Sequence, residues 1–304
     1  MNTPETTESK TLTHGILYAL GCYGMWGFFP VYWKQLTHVG AMEILAHRMT
    51  WSLLLVSVLL VVLGKLSWIK TTSKKVIGTY FLAATFLAVN WGTYIWAVNS
   101  GFVVETALGY FINPLINVLF GALFLGERLR RGQQLSVVTA ALGVLYLTWL
   151  YGQPPWISLV LASTFGTYSL LKKKAPLGAL EGLSLETALL FLPALAYLIF
   201  IHASGQGAMG THATTQTNIL LAFSGVATVL PLLCFAAAVR RLSLSVVGVM
   251  QYIGPTIQFF LGVFLYNEPF SGSRLVGFVL IWMGLILFTA EGLLHKKKKT
   301  PKAT

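Results

Sequence analysis

Apolar runs, each close to the length needed to cross a bilayer, follow one another along almost the whole chain, with short basic or Gly/Pro-containing breaks between them. A hydrocarbon core of about 30 Å takes about 20 helical residues. On that measure the pattern predicts spans near 14–33, 44–63, 75–98, 105–124, 134–150, 155–171, 184–201, 218–237, 244–265 and 272–291. The few polar and conformationally special positions inside the runs recur at a constant offset of 141 residues. Ile112, Pro114, Ile116, Gly121 and Glu127 return as Ile253, Pro255, Ile257, Gly262 and Glu268, and Gly143 returns as Gly284. An odd number of spans per copy forces the second copy to enter the membrane inverted. The predicted fold is all-α and membrane-integral. It has ten transmembrane helices in two inverted five-helix repeats, 14–150 and 155–291, joined by the Tyr151–Pro155 turn, with tails 1–13 and 292–304. Inverted copies around a midplane site are the architecture of secondary transporters.

Composition agrees: hydrophobic residues make up 56% of the 304 positions and charged residues 10%, against about 25% charged in soluble domains. The net charge of +12 is a matter of topology rather than of nucleic-acid binding. Eighteen of the 21 Lys and Arg residues fall on the N-terminal side of the predicted bundle, in groups at 65–75, 128–131, 172–174, 240–241 and 296–302, plus Lys10. Lys34, Arg48 and Arg274 stand apart from that bias. The positive-inside rule then places both termini in the cytoplasm, and the Lys296–Lys299 tail favours an anionic lipid surface. The first 13 residues lack the features of a cleavable signal. Cys22 and Cys234 fall inside spans and read as packing residues. The segment 202–217 reads as a mobile outer loop without functional content.

Spans four and nine carry the main candidate chemistry. Pro114 and Pro255 sit mid-span, where each kinks the helix and deprives the carbonyl four residues earlier, Tyr110 or Gln251, of its donor. Such groups are tolerated at membrane depth only in protein contacts or beside water. Tyr110, Asn113 and Asn117 share a helix face, and Gln251, Tyr252 and Gln258 lie in the corresponding part of repeat two. Span three adds Asn90 and Tyr94, with Trp91 and Trp96 as core or interface aromatics. These residues predict a polar, mostly uncharged substrate cavity; the competing reading is that they bond to neighbouring helices. Glu43, His47 and Arg48 open span two. They read either as an outer anion-attracting or proton-coupling group or as a self-neutralising structural cluster that snorkels to the interface. Glu105 and Glu186 suit the first turns of their helices, with Glu186 a second coupling or gating candidate. Glu127 and Glu268 are expected to bind the start of the following helix. Glycines at 21, 24, 27 and 143 serve close helix packing, with a gating hinge at Gly24 or Gly27 as the sharper alternative.

No Gly-rich phosphate loop, zinc helix or Asp residue is present, so no catalytic residue, metal or cofactor is expected. The expected partners are a small-molecule substrate, membrane lipids, a proton as candidate coupling ion and a second copy of the chain. A lipid flippase or membrane-embedded enzyme acting on a lipid is the rival function.

Several stretches resemble the RarD family of EamA-type carriers in the drug/metabolite transporter superfamily. They are Glu43-Ile-Leu-Ala-His-Arg48, Asn90-Trp91, Trp96-Ala-Val-Asn99, Leu108-Gly-Tyr-Phe-Ile-Asn-Pro114, Gly126-Glu-Arg128, Pro231-Leu-Leu-Cys-Phe235 and Gln251-Tyr-Ile-Gly-Pro255. The resemblance implies ten helices in two inverted repeats, a bacterial cytoplasmic membrane and permease-type export. It also implies a cavity built by spans one, three, four, six, eight and nine. That supports Asn90, Tyr94, Tyr110, Asn113, Gln251 and Tyr252 as lining, and leaves His47 and Arg48 on a more peripheral helix.

Overall fold

Every described element of the computed structural model is helical, as befits a chain whose backbone amides find no water inside a bilayer. Residues 4–99, 103–152, 156–210, 213–265 and 271–299 are described. The order is α1 (Pro4–Trp33), a 3-10 turn (Lys34–Leu36), α2 (Ala41–Val62), α3 (Trp68–Thr71), α4 (Lys74–Asn99), α5 (Val103–Leu125), α6 (Arg131–Tyr151) and α7 (Trp156–Lys174). There follow α8 (Ala179–Ala203), α9 (Thr215–Arg241), α10 (Leu244–Met250), α11 (Ile253–Phe260), a π-turn (Leu261–Leu265) and α12 (Gly272–Lys299).

Helix ends are set by local chemistry. The Thr214 hydroxyl accepts from Thr217 N at 3.1 Å to cap α9, and Ser243 caps α10 in the same way. Gly152, at φ +69°, terminates α6 in the left-handed conformation that favours glycine.

Among the described residues, eight rods are long and apolar enough to cross a membrane: α2, α4, α5, α6, α8, α9, the α10–π-turn rod and α12. Of the two that fall short, α7 lies largely inside the bundle, whereas α1 keeps an exposed apolar face at Leu17, Leu20 and Phe28. Helix α1 packs on α9, α10 and α11, and α7 on α4, α5, α9 and α10. A helix faced mainly by protein can carry small and polar residues, as α7 does at Ser158, Thr164, Gly166 and Ser169.

The packing pairs obey an internal two-fold. Helix α5 meets α10 and α6 meets α12. The α4–α7 contact has its mate in α1–α9, α5–α7 in α1–α11, and α2–α9 in α4–α8. The symmetry reaches single residues at the α6–α12 seam. A Cβ on Gly143 would lie 2.8 Å from the Gly277 carbonyl, and one on Gly284 would lie 2.7 Å from the Ser136 carbonyl. Positions 136 and 277 are themselves repeat mates, so each copy offers the other the same groove. Gly27 is likewise a packing residue, since a Cβ there would lie 2.7 Å from the Ile257 side chain, whereas Gly21 and Gly24 face open space. Both cysteines are free, Cys22 buried and Cys234 half-buried, packed in or against the central apolar cluster.

Three expectations change. Helix α5 runs unbroken through Pro114, while the second proline-bearing rod is interrupted at Gln251–Tyr252 between α10 and α11. The Gln251 carbonyl is not orphaned there, because the tightened turn brings it Gly254 N at 3.3 Å. Helix α8 starts at Ala179, so Glu186 sits two turns inside it rather than in its first turn. The described part of the outer segment is also tied down: Ala208 N donates to Glu43 Oε1 at 2.6 Å, and Asn218 exchanges two hydrogen bonds with Gly210.

Candidate functional site

The chief cavity lies where α1, α2, α4, α5, α7 and the α10–α11 break converge, with about 780 Å³ of empty space when its open mouth is counted. It is lined by Asn90, Tyr94, Tyr110, Gln251 and Gln258 from the sequence-predicted set, together with Arg48. Pro255 is also on the wall. An aromatic lining from α1, chiefly Tyr23, Trp26, Phe29 and Trp33, faces them. The resemblance implies that span one helps to build the cavity but does not single out these residues, because a row of aromatics on an apolar helix looks the same whether it meets lipid, core or cavity.

Each polar group in the wall is held by its own helix geometry. Asn90 spends both amide protons across the α4–α7 seam, on Leu161 O at 2.8 Å and Thr164 Oγ1 at 3.0 Å. Its Oδ1 has no protein donor among the described residues. The Gln251 amide oxygen accepts from Asn117 Nδ2 at 2.9 Å, joining α5 to the α10–α11 break. Gln258 Nε2 donates to the Trp26 carbonyl at 3.0 Å. The Tyr94 and Tyr110 rings pack against each other with centroids 5.5 Å apart.

Asn113, Asn117 and Tyr252 stand behind this wall. Asn117 supports Gln251, and Tyr252 turns to the other side of α5, its ring 6.2 Å from that of Phe111. Asn113 is fully buried, and neither its amide nitrogen nor its oxygen has a partner among the described residues. Helical spacing places all three correctly on a bundle-facing surface, but it does not separate a residue in the cavity from one a layer behind.

Arg48 is the largest departure from the sequence reading. It is not paired with Glu43 but lines the cavity at 9% exposure, although α2 also carries an exposed apolar side. Glu43 is engaged elsewhere, by Ala208 N and by His47 Nε2 at 3.8 Å. The Arg48 Nε donates to Thr228 Oγ1 at 2.9 Å, and the Thr228 hydroxyl in turn donates to Ser224 O at 2.8 Å. The guanidinium carbon lies 4.2 Å from the Trp91 ring centroid and 5.0 Å from that of Trp33. Gly225 allows this arrangement: a Cβ there would sit 2.6 Å from the Trp51 backbone, so α2 and α9 meet closely enough for Thr228 to reach Arg48.

Toward the basic end of the bundle the cavity is floored by aromatic packing. Phe165 contacts Trp26 and Phe235 at centroid separations of 5.8 and 5.4 Å, and Tyr168 stacks on Phe235 at 5.9 Å. Beneath them Lys172 Nζ lies 3.0 Å from Glu186 Oε1, with both side chains buried, and Tyr168 donates to Glu186 Oε2 at 3.3 Å. Glu127 closes the same end by a different route than expected. It binds the start of α10, not of α6, accepting from Leu244 N at 2.7 Å, Ser245 N at 3.0 Å and Ser245 Oγ at 2.6 Å. The expected role is retained but crosses between repeats. Its mate Glu268 and the side chains of Glu105, Asn99 and Lys296–Lys299 lie outside the described residues.

Comparisons with known proteins agree with this architecture. The model of the EamA-like transporter family matches twice, at residues 13–149 and 154–290. The chain is 47% identical over 281 residues to Protein RarD of Streptomyces exfoliatus, covering 92% of this chain and 89% of that protein. It is 45% identical over 281 residues to the uncharacterized transporter YojE of Bacillus subtilis, covering 90% and 93%. A crystal structure at 18% identity superposes with a TM-score of 0.70, covering 92% of this chain and 98% of that one, which shows a shared fold.

Proposed function

Because the chain belongs to the EamA-like transporter family and is a multi-pass membrane protein, we propose that it is a secondary-active or facilitative carrier. It exports a small polar or amphipathic metabolite or drug-like compound across the bacterial cytoplasmic membrane by alternating access. The observation that carries this reading is the cavity of about 780 Å³ between repeat-related helices, with amides and phenols on one wall and aromatics on the other. Such a wall binds by stacking and hydrogen bonding.

In this reading α1 and α7 complete ten spans: α7 is largely enclosed by protein and need not be strongly apolar, and α1 turns Leu17, Leu20 and Phe28 outward. The clustered basic residues put both termini in the cytoplasm. The aromatic floor, the Lys172–Glu186 pair and the Glu127 cap of α10 then form the closed cytoplasmic gate. Opening that gate while the opposite end closes is the transport step, a rocking of one repeat on the other. Glu186 and the Glu43–His47 pair are the proton-coupling candidates, and a second copy of the chain is a candidate partner.

The experiment is a comparison of extracellular metabolites from cells lacking the protein, expressing it, or expressing Tyr110→Phe/Gln251→Ala at equal abundance. Export predicts at least one compound released only with the intact protein. Indistinguishable profiles from all three, with well-folded protein in the membrane, would overturn small-molecule export.

A further inference from the structure

Resting on the carrier reading, we propose that the cavity selects a monoanion: an organic carboxylate with an aromatic or other apolar body, its carboxylate seated on the outer edge of Arg48. Arg48 is the sole formally charged residue on the wall described. A buried guanidinium at membrane depth costs about 2.5–3.5 kcal/mol on insertion scales unless it is paired or hydrated, and no carboxylate of the protein pairs with this one among the described residues. Glu43, the acid one helical turn away, is already held by the 208 backbone and His47.

The surroundings position the cation without neutralising it. Thr228 takes the Nε proton, and because the hydroxyl proton is committed to Ser224 O, its lone pairs are turned to Arg48. Trp91 and Trp33 approach the guanidinium carbon at 4.2 and 5.0 Å, an aromatic setting that favours a cation but accepts none of its protons. The terminal nitrogens have no protein acceptor among the described residues. Two parallel N–H donors of that kind match a carboxylate bidentately.

The rest of the wall defines the body of the ligand. Trp26, Phe29 and Phe165 supply apolar stacking surface. The Asn90 oxygen, which has no donor among the described residues, supplies one acceptor for a hydroxyl or amine on the ligand. A single cation compensates a single negative charge, so a phosphate dianion would carry one charge unmatched into a low-dielectric site. A neutral ligand would leave Arg48 unpaired.

The test uses the full-length protein in lipid nanodiscs and follows its apparent melting temperature as ligand is titrated. The probes are phenylacetate, 3-phenylpropionate, 4-phenylbutyrate and indole-3-acetate, each beside its neutral carboxamide, with phenyl phosphate as the dianion. At least one acid should bind about tenfold or more tightly than its amide, the order expected for a charge-assisted bidentate contact. Arg48→Gln should abolish that preference while amide binding persists, which also shows that the variant is folded. Arg48→Lys, which keeps charge but loses the fork, should retain part of it. Thr228→Val should weaken acid binding several-fold with little effect on the amide. Equal binding of every acid and amide, no response to any acid, tighter binding of phenyl phosphate, or an acid preference that survives Arg48→Gln would each overturn the assignment. Counterflow of the bound acid in proteoliposomes separates the two levels: binding at Arg48 without flux would sink the carrier reading and leave the anion site standing. Saturable flux of a neutral compound indifferent to Arg48→Gln would do the reverse.

Discussion

The Lys172–Glu186 pair offers a quantitative check on the packing at the basic end. Its charges are 3.0 Å apart, and the two side chains are 5% and 2% exposed. At an effective dielectric constant of about 20, such a separation corresponds to roughly 5–6 kcal/mol of attraction, most of which is offset by the cost of removing both ions from water. The net worth of the pair is therefore small, but the cost of breaking it is not. Glu186→Gln strands a buried ammonium among Tyr80 and Tyr168, and Lys172→Met strands a buried carboxylate. Each should cost about 3–5 kcal/mol. At about 2–4 °C per kcal/mol for chains of a few hundred residues, apparent Tm should fall by roughly 6–20 °C, read by tryptophan fluorescence in nanodiscs. The double variant Lys172→Met/Glu186→Leu removes both charges and leaves an unpaired Tyr168 hydroxyl, a loss of about 1–3 kcal/mol. It should be more stable than at least one single variant. Single variants that melt with the wild type, or a double variant whose loss is the sum of the singles, would refute an ionised buried pair.

Other outcomes follow from the same geometry. Gly225→Ala places a methyl 2.6 Å from the Trp51 backbone and should cost about 1–3 kcal/mol by overpacking, measured as a lowered Tm. Gly143→Val and Gly284→Val intrude on mated grooves of the α6–α12 seam and should destabilise by similar amounts; a large effect from one alone would contradict the two-fold. Glu127→Gln weakens the three hydrogen bonds at the start of α10, a loss of about 1–3 kcal/mol for charged acceptors, and amide exchange at 244–246 should accelerate. Asn113→Leu removes an amide with no partner among the described residues on either atom and should be neutral or stabilising; a loss of more than about 1 kcal/mol would mean that a water or ligand satisfies it.

Much of this was legible in the sequence for a simple reason. Span length and the positive charges at one end are one-dimensional signals of a two-dimensional solvent, and the repeat fixes the symmetry of what they build. The helix-facing surfaces of Asn90, Tyr94 and Tyr110 can be read from helical spacing, and those of Gln251 and Gln258 from the 141-residue repeat. Depth within the bundle could not, and Asn113, Asn117 and Tyr252 fall one layer behind the cavity for that reason. Arg48 stands out in the sequence, but its neighbours, Trp33, Trp91 and Thr228, are not legible there because they come from three other helices. Local spacing offered only Glu43, which the chain instead uses to anchor the segment at Ala208. Glu127 was understood as a cap, but its helix lies in the other repeat, a choice that only the interleaved packing of the two copies makes.

The most direct measurement concerns access to the cavity wall from the two sides of the membrane. A lone cysteine at Gln251→Cys, with Cys22 and Cys234 replaced by Ala, would be exposed to a membrane-impermeant thiol reagent in right-side-out and inside-out vesicles. Alternating access predicts labelling from both sides. Breaking the basic-end closure with Glu127→Gln should raise the rate from the side the basic end faces and lower it from the other. Labelling confined to one side, with a rate untouched by Glu127→Gln, would contradict a carrier that opens its cavity to each side in turn.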